Sequence, residues 1–268
     1  MSRLFEALEK AEKERLAVDK KMKVQETKGD LDAVAPTLTK ELVVLFEPNS
    51  VIAEEFRFLR SRILRPLKGD PPKTILITSC LQGEGKTFVA ANLAATIAKG
   101  FDEYVLLVDS DLRRPRIHQI FGYDHVRKGL STHLMTGEPL ENLLVKTDIK
   151  KLTILPAGDD CDNPSELISS RKMEELIKEI RDRYPDRHVI FDSSPVELTP
   201  ETFVLGNKVD AIYLIIKRAS TPRDVIKNTI EKFEKEKFKG IILNGYEKRK
   251  RYYKRYYRGY SSYSYKGY

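Results

Sequence analysis

From Pro71 onward, short runs of apolar, largely β-branched residues alternate with stretches in which apolar residues recur at helical spacing. The runs Thr74–Ser79, Val105–Asp109, Thr153–Pro156, Val189–Asp192, Ala211–Ile216 and Gly240–Asn244 predict strands, and residues 86–99, 165–182 and 222–236 predict helices. The strand runs do not alternate apolar with polar positions, which is the pattern of strands buried on both faces. Strands alternating with helices form a parallel sheet joined by right-handed crossovers. The expected fold is therefore α/β, a doubly wound, mostly parallel sheet.

The flanks read differently. Leu4, Leu8 and Ala11 recur at i, i+4 and i+7 among alternating Glu and Lys, predicting within residues 1–28 a short helix whose apolar stripe is too narrow to fold alone. Residues 29–50 mix Gly, Pro and Asp with a short apolar run and predict a linker leading to an added strand. The expected organisation is a helix and linker over 1–45, a compact domain over 46–247 and a tail over 248–268. A length of 268 residues allows one large domain with appendages or at most two small ones.

Charge changes the picture only at the tail. The chain carries 48 Lys+Arg against 40 Asp+Glu, a formal +8, but Lys248, Arg249, Lys250, Arg251, Lys254, Arg255, Arg258 and Lys266 fall in a stretch without one acid. The remainder is balanced, which argues against a basic nucleic-acid-binding body. The longest apolar run, Ala211–Ile216, is far short of the ~20 residues of a membrane helix. The charged N-terminus does not read as a secretory signal, so a cytoplasmic location is expected. Cys80 and Cys161 are too few for a disulfide framework, and His118, His125, His133 and His188 lack metal-ligand spacing.

The chemistry concentrates at strand ends. Gly83-Glu84-Gly85-Lys86-Thr87 follows a predicted strand and opens an amphipathic helix, the context of a phosphate-binding loop. Backbone N–H groups of such a loop point at phosphate oxygens, and the helix N-terminus adds partial positive charge. Lys86 can reach the β- and γ-phosphates and the Thr87 hydroxyl can ligate Mg²⁺. The full pattern has glycine where this chain has Cys80, predicting slightly altered geometry nearby.

The segment VLLVDSDLRRP places Asp109 and Asp111 at the C-terminal end of a second strand, where open α/β sheets bind ligands. Two apart on an extended chain, they face the same side. A third strand, HVIFDSSPV, ends in Asp192, placed as a Walker B carboxylate that orders the Mg²⁺ shell. Three acids beside one phosphate loop predict a nucleoside triphosphatase site. Mg²⁺-ATP is favoured over GTP, because the guanine-reading N-K-x-D is absent.

With these residues in place, the chain resembles the bacterial protein-tyrosine kinases of capsule and exopolysaccharide synthesis, P-loop proteins related to the cell-division and partitioning ATPases. The similarity covers roughly residues 40–268. IHQIFG after RRP, KGLSTHLMTG, LPAG, NPSELISS and GIILN look like segments of that family in the expected order, as does a terminal tyrosine cluster. Glu54, Arg57 and Arg60 match its E-x-x-R-x-x-R oligomerisation motif; three apart, they fall near one helical face.

The resemblance implies ATP-dependent autophosphorylation in trans, in a homo-oligomeric ring where one subunit's tail enters the next subunit's site. It implies nucleotide contacts from Gly83, Glu84, Gly85, Lys86, Thr87 and Phe88, and Mg²⁺ held by Thr87, Asp109 and Asp192. Lys86, Asp109, Asp111 and Asp192 become the catalytic set, with Asp109 taking the tyrosine proton. Ser194 departs from the family, which usually has a second proline there, and no fused transmembrane regulator is evident. The resemblance therefore implies a separate membrane adaptor of the chain-length-regulator type, a resetting phosphatase, and a cytoplasmic protein peripheral to the membrane. A non-kinase ATPase switch of the partitioning type is the alternative, although its signature lysine is replaced by Leu81-Gln82 after Cys80.

The tail carries Tyr252, Tyr253, Tyr256, Tyr257, Tyr260, Tyr263, Tyr265 and Tyr268, eight of thirteen tyrosines, with no aliphatic residue among them. Such a segment cannot bury enough apolar surface to offset its ordering entropy, so it is expected to be accessible as a multi-site phosphoacceptor. At about −1.5 to −2 per phosphate, roughly four or five modifications would cancel the +8. From the tail alone, binding to single-stranded nucleic acid or an anionic membrane fits equally well.

Overall fold

The computed structural model describes residues 38–123, 126–183 and 186–245. Among them are strands β1 Thr74–Ser79, β2 Tyr104–Asp109, β3 Val145–Lys146, β4 Leu152–Leu155, β5 Arg187–Asp192, β6 Ala211–Lys217 and β7 Phe238–Asn244. They form one sheet in the order β3-β4-β2-β5-β1-β6-β7. Only β3 runs antiparallel to its neighbour. The doubly wound, mostly parallel sheet expected from the alternating pattern is what the chain builds. β1 is buried throughout, and β2 and β5 expose only their first residues to any degree, as strands covered on both faces must be.

The helices are α1 Val43–Phe46, α2 Val51–Leu64, α3 Lys86–Ala98, α4 Ile117–Ile120, α5 Leu130–Thr136, α6 Pro164–Ser169, α7 Arg171–Arg183, α8 Pro200–Gly206 and α9 Arg223–Glu231. Side chains alternate across the sheet: Ile75 and Ile77 join a core with α2 and α3, whereas Leu76 joins one with α5 to α8. α3 is apolar nearly all round, and Ala90, Ala91, Ala94 and Ala95 are fully buried between sheet and α2. α7 buries Met173, Leu176, Ile177 and Ile180, one helical stripe. Among the described residues no helix is long and apolar enough to cross a membrane.

Two expectations need correction. The apolar run near 41–46, read as leading to an added strand, is the single turn α1 over helix α3, and both sheet edges are occupied by β3 and β7. The Asn92 amide of α3 fixes it there, accepting from Val44 N at 3.2 Å and donating to Glu41 O at 2.8 Å. The helix expected over 165–182 is two helices, because extended Ser170 interrupts it and its hydroxyl caps Met173 N at 3.2 Å. Residues 1–28 and the tail 248–268 lie outside the described residues.

Candidate active site

β1 ends at Ser79, and the chain passes through a loop into α3, whose N-cap is Gly85. Gly83 and Gly85 have φ of 80° and 92°, a region that glycine enters without steric cost. At Gly85 a β-carbon would also collide with the Asn244 side-chain amide. The backbone N–H groups of Gly83, Glu84, Gly85, Lys86 and Thr87 find no acceptor among the described residues. This is a concavity of donors at a helix N-terminus, suited to a polyphosphate. Cys80 does not adopt positive φ and is buried with Leu214 and Ile216, so the loop opens without needing glycine there. Burial pushes the Cys80 thiol above its ordinary pKa.

Three carboxylates converge beside this loop. Asp109 ends β2 and Asp192 ends β5, paired in register on adjacent parallel strands, and both are fully buried. Asp109 Oδ2 accepts from the amides of Arg116 at 3.0 Å and Ile117 at 2.9 Å, whereas its Oδ1 has no hydrogen-bond partner. Neither oxygen of Asp192 forms a hydrogen bond of ordinary geometry, and the Thr87 hydroxyl is the polar side chain nearby that favours its ionised form. Asp111, two residues beyond β2, accepts from the Ser194 hydroxyl at 2.6 Å and faces Lys86 Nζ at 4.0 Å. Lys86 itself is 7% exposed.

Burial sets the electrostatics. It raises the Asp192 carboxyl to about 7, against the pull of the nearby Lys86 ammonium and Thr87 hydroxyl. Burial, and next the charge of Asp192, hold Asp109 well above the usual carboxylate range. Two adjacent buried acids with orphaned oxygens are unfavourable alone and suited to a cation. Among the described residues no group of three or more His, Cys, Asp or Glu encloses a metal ion by itself.

The match to known proteins agrees with this geometry. Residues 75–260 match the CobQ/CobB/MinD/ParA nucleotide binding domain. Over 210 residues the chain is 33% identical to tyrosine-protein kinase YwqD of Bacillus subtilis (strain 168), spanning 78% of this chain and 87% of that one. The chain belongs to the bacterial tyrosine-protein kinase family. The kinase domain of Escherichia coli tyrosine kinase ETK has the same fold, with a TM-score of 0.73 and 26% identity over 84% of this chain and 87% of that one. The septum site-determining protein MinD of Pyrococcus horikoshii OT3, complexed with Mg-ADP, gives a TM-score of 0.52 and 26% identity over 67% of this chain and 72% of that one.

In this bacterial tyrosine-kinase chain, Gly83, Gly85, Lys86, Thr87, Asp109, Asp111 and Asp192 come together. Two residues expected at the nucleotide turn their side chains away. Phe88 packs edge-to-face on Phe56 of α2, ring centroids 5.9 Å apart, and Glu84 is buried beneath the loop. What either can offer a nucleotide is its backbone. Glu54 and Arg57 pair with each other on α2, Arg57 also donates to Pro48 O, and Arg60 donates to Thr96 O at 3.1 Å. Sequence reasoning missed Ser194 as a partner of Asp111 and Asn244 as a neighbour of Gly85. Ser194 stood out only as a missing proline, and Asn244 only as the end of an apolar strand.

Proposed function

We propose that this chain is an ATP-dependent protein-tyrosine kinase acting in trans on the tail cluster Tyr252, Tyr253, Tyr256, Tyr257, Tyr260, Tyr263, Tyr265 and Tyr268. The observation that carries the reading is the convergence of orphaned Asp109 and Asp192 oxygens beside the unpartnered amides of Gly83–Thr87. ATP lays its phosphates along those amides, with Lys86 on the β- and γ-phosphates. Thr87, Asp109 and Asp192 would hold Mg²⁺, which would supply neutralisation of the phosphate charge. Asp109 accepts the phenol proton. The tyrosine oxygen bonds to the γ-phosphorus, the bond from phosphorus to the β–γ bridging oxygen breaks, and ADP leaves. Positioning and charge neutralisation carry most of the rate, so the base contributes modestly.

The role fits control of exopolysaccharide or capsule synthesis and export. The protein would work at the inner membrane face through a chain-length-regulator adaptor, opposed by a phosphatase. Self-assembly would use Glu54, Arg57 and Arg60 of α2; a monomer by light scattering with Mg²⁺-ATP and adaptor present would rule out the ring.

The deciding experiment is incubation with Mg²⁺-ATP beside a Lys86→Met control, with phosphosites mapped by mass spectrometry. Phosphate on several tail tyrosines in the parent and none in the control is expected. Lys86-dependent ATP hydrolysis without phosphotyrosine, even with the adaptor's cytoplasmic segment added, would replace the kinase with an ATPase switch.

A further inference from the structure

The least expected side chain in the nucleotide loop is Glu84. A carboxylate between two glycines beside a phosphate site would ordinarily face solvent, since its charge opposes that of the ligand. Instead Glu84 is 2% exposed and both its oxygens are used. Oε2 accepts from Leu81 N at 2.7 Å, at the start of the loop. Oε1 accepts from Lys217 N at 3.2 Å, at the end of β6, and from the Thr221 hydroxyl in the turn before α9. The Glu84 carbonyl accepts from Asn244 Nδ2 at 2.9 Å, at the end of β7. Within the span that the carboxylate clasps, Ala219 has φ of 56°, the single positive φ of a non-glycine residue among those described.

Gly83 and Gly85, both at positive φ, give the loop two joints with the wide backbone freedom of glycine. Glu84 lies between them and is held at carboxylate and carbonyl, whereas no backbone hydrogen bond takes up the N–H groups of its neighbours Gly83 and Gly85 among the described residues. A glycine loop not tied in this way would have to lose its backbone freedom each time nucleotide bound. We infer that Glu84 is a positioning residue: its buried carboxylate pre-forms the phosphate loop and locks it to the β6–α9 turn and the end of β7. The same linkage ties the loop to Asn244, two residues before Tyr246, where the chain runs on toward its tyrosine cluster.

The inference rests on the reading of Gly83–Thr87 as the phosphate loop, and the test keeps the two apart. Glu84→Gln preserves volume, but one oxygen becomes an NH₂ group that must face the N–H of Leu81 or Lys217. A filler role would be indifferent to that change, whereas a role as acceptor of donors on both oxygens would not. Nucleotide affinity is measured by calorimetry with Mg²⁺-ADP, and KM and kcat with Mg²⁺-ATP, in the full chain. Glu84→Gln is expected to weaken ADP binding and raise KM by about tenfold, with kcat changed by less than about threefold. Thr221→Val, which removes one donor and leaves Glu84 intact, is expected to raise KM by about two- to fourfold and serves if the first variant does not fold. Wild-type affinity in both variants, or a loss confined to kcat, would overturn the inference alone. A parent that binds no nucleotide would overturn the reading of the loop and the inference with it.

Discussion

Asp109 and Asp192 occupy paired positions at the ends of adjacent parallel strands, each fully buried, with three of their four carboxylate oxygens unpartnered. Neighbouring strands lie about 4.8 Å apart, so two negative charges there repel strongly in a low dielectric. A cation and phosphate ligands, as proposed above, would relieve that repulsion.

That relationship sets a pH dependence. The Asp192 carboxyl titrates at about 7 in the fold and near 3.8 when exposed. Below pH ~4 it is protonated in both states and its contribution is fully present; stability is lost as pH rises through 7, when the folded protein must ionise a buried group. In EDTA without nucleotide, the parent should lose a few kcal/mol between pH 4 and 8 from this group, at most. Asp192→Asn should abolish phosphorylation yet unfold at a higher temperature than the parent at pH 8, the gap closing toward pH 4. Equal gaps at both pH values in thermal melts would count against a buried, proton-sharing pair.

Ser194 should matter because its hydroxyl is a buried partner of Asp111. That hydroxyl donates to Asp111 at 2.6 Å, and both residues are buried. Ser194→Ala leaves Asp111 oriented mainly by Lys86 and by the Arg114 amide at 3.2 Å. Phosphorylation rate is expected to fall about tenfold, with ADP affinity within about threefold. An unaltered single-turnover rate would show that Asp111 needs no such support.

Gly85 has two independent reasons to resist substitution: φ of 92° and the Asn244 amide where a β-carbon would sit. Gly85→Ala should weaken Mg²⁺-ADP binding by at least about tenfold, since relief requires the loop or Asn244 to move. Calorimetry on Gly85→Ala with and without Asn244→Ala separates the causes. The double variant should recover part of the affinity if collision contributes.

Asn92 is wholly buried in α3 and its amide serves Val44 N, Glu41 O and Phe88 O. Asn92→Leu removes these partners and should cost about 2–4 kcal/mol, read from urea unfolding. Hydrogen exchange should rise first at Val44. A variant as stable as the parent would mean that α1 is held by Leu42 and Val44 alone.

Much of this protein can be read from its linear order. Doubly buried strands need continuous apolar runs, so β1, β2, β5 and β6 announced themselves, and strand ends bearing Gly85-Lys86-Thr87, Asp109 and Asp192 marked one edge of a parallel sheet. Those are local signals: periodicity, a loop before a helix, an acid after an apolar run. Folding decided what depends on residues far apart in the chain. The apolar run at 41–46 became a helical turn because Asn92, about fifty residues on, satisfied its backbone. Glu84 turned inward because Lys217 and Thr221 offered donors, and Ser194 found Asp111 because the β5 exit lies beside the β2 exit. A residue's type limits which hydrogen bonds it can make; which of them it makes depends on what the sheet order brings within 3 Å.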